Sequence, residues 1–309
     1  MENHLTNIIQ EVETIRQAQS RQANLFKLLI GLGAAIGIAA LGLSFDSGFS
    51  LHLDYLTYIL AGFGLAVGCF FALMQNKNNF LSTFRNKLLK LHLAQEFPNT
   101  TYLESFIPEN EFSLAQMVST RYSKYTGEDL IRTQINGCKV EICQLKLTFH
   151  NKNAYLLSFG GEFAVIKGSN LNIATAVLID CKNPYPQLGN LFGLTAQKSK
   201  AGKTQTSINP QIDDLYNTYV EDAAQTERVL SPQFLSWWYK NSQRGKISLH
   251  LSPNAIYIGW HKGEKGDFLA VDIHQPVTEE ILNKLSAEIR QKFDFISELL
   301  SFFQPQTNQ

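Results

Sequence analysis

Three short acidic groups carry the candidate chemistry of this chain. Tyr125-Thr-Gly-Glu-Asp-Leu130 sets Glu128 and Asp129 side by side after Gly127, and Asp213-Asp214 and Glu221-Asp222 are further adjacent pairs. Paired carboxylates act as general acid and base, or hold a divalent ion, when they converge on one pocket. They also cap helices and close salt bridges. The composition predicts residues 125–130 as a compact polar turn, with Gly127 supplying an awkward backbone geometry. Asp213 or Asp214 is a candidate helix cap, and Asp222, Glu227 and Arg228 a candidate ion network. A pocket joining 125–130 to 219–228 would make Tyr125, Gly127, Glu128, Asp129, Tyr219, Asp222, Glu227 and Arg228 one ligand or catalytic site. Trp237-Trp238-Tyr239 reads as an anchor for the core or for a protein partner.

Other reaction classes have no foothold. The seven histidines form no HxH, HExxH or HxxxH pattern, and Cys138 and Cys143 make a C-x4-C pair with no second pair, so no metal site is expected. There is no GxSxG elbow and no kinase signature. Ala196-Gln-Lys-Ser-Lys-Ala-Gly-Lys203 reads as an exposed loop without the glycine series of a phosphate-binding loop. No pattern implies a cofactor. Lys plus Arg equal Asp plus Glu at 27 each, and no basic-aromatic alternation occurs, which argues against a nucleic-acid partner.

The elements that must position these residues begin with two apolar runs. Charged residues are only 17% of the chain, because the apolar content is concentrated. Leu25–Leu43 carries Lys27 as its only charge, and Leu56–Met74 carries none. Each run has 19 residues, which at about 1.5 Å per residue covers most of a hydrocarbon core of about 30 Å. Lys27 lies near one end, where its ammonium can snorkel to the interface. Gly33-Ala-Ala-Ile-Gly37 fits the small-xxx-small pattern of close helix contacts. A transmembrane hairpin at 25–74 follows, with the lipid bilayer as partner.

Charge sets its orientation. The intervening loop holds Asp46 and Asp54 and no Lys or Arg, whereas Arg16, Arg21, Lys27, Lys77, Arg85, Lys87 and Lys90 flank the runs on the other side. The positive-inside rule puts both termini in the cytoplasm of a multi-pass inner (plasma) membrane protein. Cys138, Cys143 and Cys181 then lie as free thiols in a reducing compartment. Residues 1–24 form an amphipathic helix with a stripe at Leu5, Ile8, Val12 and Ile15, and residues 75–96 a helical stalk with one at Phe80, Phe84, Leu88 and Leu91. The stripes suit an antiparallel stalk, a homo-oligomer contact or an interfacial helix.

Residues 97–309 read as a cytosolic α+β domain with a largely antiparallel sheet and flanking helices. Strands are expected at 139–149, 154–166, 172–180, 246–251, 255–260 and 268–273, with a turn at Asn151-Lys-Asn153 and a bulge near Cys143-Gln144. A short helix is expected at 112–119, another from Ser231-Pro232 to about Asn241, and a last one after Thr278 with Leu282, Leu285, Ile289 and Phe293 on its apolar face.

Three segments carry a family resemblance: Tyr125-Thr-Gly-Glu-Asp-Leu-Ile131 followed by a strand, Phe159-Gly-Gly-Glu-Phe163, and Leu215-Tyr-Asn-Thr-Tyr-Val-Glu-Asp222 leading to Arg228-Val-Leu-Ser-Pro-Gln-Phe234. In their order and spacing the chain resembles the bacterial membrane-anchored domain-of-unknown-function family 3137, over most of residues 80–300. Cys143-Gln144 stands where that family tends to have a serine-glutamate pair. The resemblance implies an architecture of two membrane helices and a cytosolic domain, and no activity or catalytic residues. The leading expectation is a non-catalytic inner-membrane protein whose domain binds a partner or ligand. The alternatives are a membrane-tethered hydrolase or transferase using Glu128, Asp129, Asp222 and Glu227, and an accessory subunit of a membrane transport complex.

Overall fold

The computed structural model describes residues 2–46, 53–118, 122–151, 154–182, 203–242, 245–263, 269 and 271–304. The loop between the apolar runs (47–52), the turn residues Lys152 and Asn153, most of the 196–203 loop, and 264–268 lie outside them. The chain divides into two compact units, Met1–His92 with Val271–Lys284, and Leu93–Ala270 with Leu285–Gln309.

The described residues of the first unit up to His92 are helical, with no proline before Pro98 to break them. Helix α1 spans Glu2–Asp46 and α2 spans Leu53–Thr83. A π-helical stretch, Phe84–Leu89, continues α2, with Lys90 N–H bonding back to Arg85 O, and α3 (Lys90–Glu96) ends before Phe97-Pro98. The wider π turn brings Phe84, Leu88 and Leu89 all inward. Both α1 and the helix through α2 are long and apolar enough to cross a membrane, and only 17% and 6% of their most apolar windows are buried. Leu28, Ile38, Tyr58, Leu60, Phe71 and Met74 are among the large side chains left exposed there.

The two helices meet through small residues. A Cβ on Gly33 would lie 2.6 Å from Gly62 O, and one on Gly62 would lie 2.6 Å from Gly33 O and 2.7 Å from Gly37 N, so side chains are excluded at this crossing. Asn76 Nδ2 donates to Gln19 O at 2.7 Å. Both contacts share one antiparallel register, fourteen residues on along each helix (33 to 19, 62 to 76). Nearer the N-terminus Lys87 pairs with Glu11 at 2.5 Å, and Val12, Phe80, Phe84 and Leu88 are fully buried. The N-terminal stripe and the segment after α2 therefore pack side by side, antiparallel.

The second unit is an α+β domain. Among the described residues, β1 (Thr101–Leu103), β2 (Lys124–Ile135), β3 (Cys138–Asn151), β4 (Ala154–Lys167), β5 (Val177–Cys181), β6 (Thr204–Thr206), β7 (Tyr216–Val220), β8 (Lys246–Ser252) and β9 (Ala255–His261) form one sheet. Its order is β1-β2-β3-β4-β9-β8-β5-β7-β6, and every pairing is antiparallel. Helix α4 (Glu109–Leu114) and the segment around it cover one face, where Ile107, Phe112, Ala115 and Met117 join Leu145, Leu147, Phe159 and Phe163. Short helices α5 (Pro210–Asp213) and α6 (Thr226–Val229) flank β7. Helix α7 (Pro232–Ser242) starts as its sequence requires, with Ser231 Oγ accepting from Phe234 N at 3.2 Å. Helix α8 (Glu279–Ser301) starts after Thr278, whose hydroxyl accepts from Ile281 N at 3.4 Å.

Several expectations are corrected. Residues 125–130 belong to β2, not to a turn. The irregularity expected at Cys143-Gln144 lies on the partner strand: β2 shifts register between Glu128 and Ile131, while β3 pairs continuously with β4 through Cys143↔Phe163 and Gln144↔Glu162. Val140, Ile142, Cys143, Leu145 and Leu147 are all fully buried, because both faces of β3 are covered. The third strand is shorter than 172–180, the helix expected at 112–119 is Glu109–Leu114, and the described residues of 268–273 form no strand. Asn209 caps α5, accepting from Gln211 N, while Asp213 receives Ser207 Oγ and Ile208 N.

Candidate functional site

The sequence-predicted residues fall into two groups that the sheet separates. In β2, Tyr125 is half-buried and its hydroxyl donates to Ile107 O at 2.7 Å; burial pushes the phenol far above its ordinary range. Gly127 faces the backbone of β3, where an added Cβ would lie 2.6 Å from Gln144 O. Glu128 pairs with Gln144. Asp129 has φ 60°, is fully buried at the bulge, and accepts the Tyr102 hydroxyl at 2.5 Å.

At the other end, Tyr219 is buried in β7, and burial, then Asp180, raises its phenol. Asp222 is a cap rather than an ion-pair member: it accepts from Ala224 N at 2.9 Å and Gln225 Nε2 at 3.1 Å. Glu227 and Arg228 lie exposed on α6. From β2 to β7 the order counts six strand spacings, about 29 Å along the sheet at ~4.8 Å each. The two carboxylate groups are not brought together. Trp238 is fully buried, stacked on Phe234, and serves the core. Trp237 is half-buried among Phe234, Phe295 and Phe302 and donates its Nε1 to Glu298 at 2.8 Å.

A concave site lies elsewhere in this unit, beside the end of the β8–β9 hairpin. Register builds it. Gln144, Glu162, Trp260 and Ile247 form one row across β3, β4, β9 and β8, so their side chains share a face. Phe163, next to Glu162, packs on Phe112 across the sheet, so this row faces α8. On α8 the buried stripe Leu285, Ile289, Ile296, Leu299 passes through Lys292.

Lys292 Nζ bonds Glu162 Oε2 at 2.7 Å and lies 4.8 Å from the centre of the Trp260 ring. Lys262 Nζ lies 2.6 Å from Glu162 Oε1. The carboxylate is fully buried, and the lysine side chains are 12% (Lys292) and 38% (Lys262) exposed. Burial lowers the Lys292 ammonium below its ordinary 10.5, against the pull of Glu162. Two glycines let the hairpin end reach this position. Gly160 O accepts from both Lys262 N and Gly263 N, and Gly161 has φ 151°, with the site of a Cβ only 1.9 Å from Trp260 O.

The cleft has a volume of about 650 Å³, within the usual span of ligand pockets. Lys246, Lys262 and Lys292 give it positive groups, Glu288, Asp294 and Glu298 negative ones, His261 an imidazole, and Trp260 and Phe295 an aromatic floor. His261 Nε2 lies 2.9 Å from Ser248 Oγ, which donates to Asp180 Oδ1 at 3.0 Å and accepts from Cys181 N at 3.1 Å. This is not a nucleophile relay: the serine sits between histidine and carboxylate, and it is fully buried. The arrangement suits reversible binding of a group bearing charge and an apolar surface. Among the described residues no cluster of three or more His, Cys, Asp or Glu side chains is placed to hold a metal ion.

The sequence contained one usable signal for this site, a lysine inside the apolar stripe of α8. The motif Phe159-Gly-Gly-Glu-Phe163 contains its buried carboxylate and the required glycine. Fold and site together define an α+β domain with a charged, aromatic cleft, joined to a helical region of apolar surface. No family model, curated protein or solved structure matches this chain.

Proposed function

We propose that this chain is a non-catalytic, membrane-anchored binding protein. Helices α1 and α2 cross the bacterial inner membrane as a hairpin with both termini in the cytoplasm, and the α+β domain binds a partner or ligand through the cleft beside α8. The carrying observation is the outward apolar surface of the two helices, which keeps side chains such as Leu28, Leu60 and Phe71 exposed over a length matching a bilayer. The charge asymmetry of the flanks supports the orientation.

A hydrolase or transferase built on Glu128, Asp129, Asp222 and Glu227 is disfavoured by the separation of β2 from β7 and by the buried and capping roles of Asp129 and Asp222. The test is alkaline carbonate extraction of membranes from cells making the full chain. The protein stays in the pellet if the helices span. Release into the supernatant would refute the anchor.

A further inference from the structure

Lys27 is the one charge within the apolar runs, and the first unit surrounds it in an unusual way. The segment 271–278 is strapped to α1 by a clasp. Arg16 Nη1 donates to Ile273 O at 3.0 Å, and Glu13 Oε2 accepts from Val277 N at 2.8 Å. Glu13 and Arg16 are themselves paired at 2.7 Å, and the Arg16 bond holds the Glu13 carboxyl down at about 2. The strap carries His274 to α1, where Lys27 Nζ lies 3.0 Å from its Nε2 and Ser20 Oγ 3.4 Å from its Nδ1. An ammonium has only donors, so Nε2 accepts and Nδ1 carries the proton towards Ser20. Lys27 thus reaches back towards the N-terminal side, as a snorkelling lysine does.

Two other cations of the unit have carboxylate partners. Arg16 has Glu13 and Lys87 has Glu11, whereas Lys27 meets the His274 ring and no carboxylate among the described residues. Its charge is unneutralised at the boundary of the apolar span, with Arg21 and Lys77 close in sequence to the Ser20 and Asn76 contacts on the two helices. The acid nearest in sequence, Asp272, is turned to the backbone N–H of His274 at 2.9 Å.

We propose that Lys27 and His274, held together by the strap, bind the headgroup phosphate of an anionic membrane phospholipid. This rests on the membrane-spanning reading above. The ammonium supplies charge, Ser20 a hydroxyl at the same depth, and the imidazole a second donor when its proton shifts from Nδ1 to Nε2 as a phosphate oxygen takes the place of the Lys27 contact.

The test places the full chain in nanodiscs of equal phosphatidylglycerol and phosphatidylcholine and counts by native mass spectrometry the lipids retained on release. Phosphatidylglycerol should be enriched about fivefold on the wild type. Lys27→Met with His274→Ala should bring the ratio close to one, while Lys27→Arg, which keeps the charge, should retain the enrichment. An unenriched wild type, or equal enrichment in the double variant, would overturn the proposal. Stripping of the lipid by excess inorganic phosphate would overturn the lipid as the source. A chain that carbonate extracts never enters this comparison, so failure of the anchor and failure of the lipid site are distinguishable.

Discussion

Replacing Glu162 tests the construction of the cleft. Its oxygens lie 2.6 Å and 2.7 Å from the two lysine ammonium groups, with the hydrogen bond at Oε2, and the carboxylate is fully buried. At an effective dielectric near 20 each contact is worth about 6 kcal/mol of Coulomb attraction before desolvation. The two lysines answer differently to its loss. Lys262, 38% exposed, can turn to water, so its share is at most about 1 kcal/mol. Lys292, 12% exposed and fixed in the apolar stripe of α8, cannot. Glu162→Leu should therefore cost about 4 kcal/mol, most of it the buried ammonium left unpaired.

Lys292→Met in that background removes the orphaned charge and fits the apolar stripe. The double variant should return to within about 1 kcal/mol of the wild type. The pH dependence has a definite sign. In Glu162→Leu the burial that already lowers Lys292 is opposed only by the weaker pull of Glu288, so the unfolded chain binds the extra proton. The penalty is complete below the lowered folded-state value and shrinks from there as pH rises to the ordinary lysine value of 10.5. The assay is urea unfolding of the full chain in mild detergent, followed by tryptophan fluorescence. A single variant within about 1 kcal/mol of the wild type, or a double variant as poor as the sum of the singles, would refute this view of the ion triad.

Gly161→Ala should destabilise by about 2 kcal/mol or more, since it demands both a positive φ and displacement of Trp260 O; unfolding midpoints against the wild type check it, and an unchanged midpoint contradicts the geometry. Alkaline pH should weaken the fold through Cys143, whose thiol burial pushes from the ordinary 9 up to about 12. A raised folded-state value contributes stability that is complete below pH 9 and is lost as pH rises through 12, about 4 kcal/mol over the window. Cys143→Ala should flatten stability against pH there, and a slope equal to the wild type's would count against the assignment.

How much of this was legible in sequence depends on the range of the contacts. The apolar runs, the β8–β9 hairpin, the Ser231-Pro232 helix start and the Thr278 cap are local patterns, and the structure carries them as read. The error at Tyr125–Leu130 has a tertiary cause. Thr, Gly, Glu and Asp favour turns, but Gly127 is there for the close backbone of β3, and Asp129 is paid for by the Tyr102 hydroxyl. The ion triad was illegible as a unit. Glu162 and Lys292 are 130 residues apart in the chain, and only the register of β4 with β9 and the phase of α8 bring them together.

The central claim is the membrane hairpin with its loop outside and its domain inside. Single cysteines at Ser50, between the two apolar runs of the sequence, and at Ser20, before the first run, test it directly. Intact cells are treated with a membrane-impermeant maleimide and compared with lysed cells. The account predicts labelling of Ser50→Cys in intact cells and of Ser20→Cys only after lysis. Labelling of Ser20→Cys in intact cells, or of neither position until lysis, would contradict it.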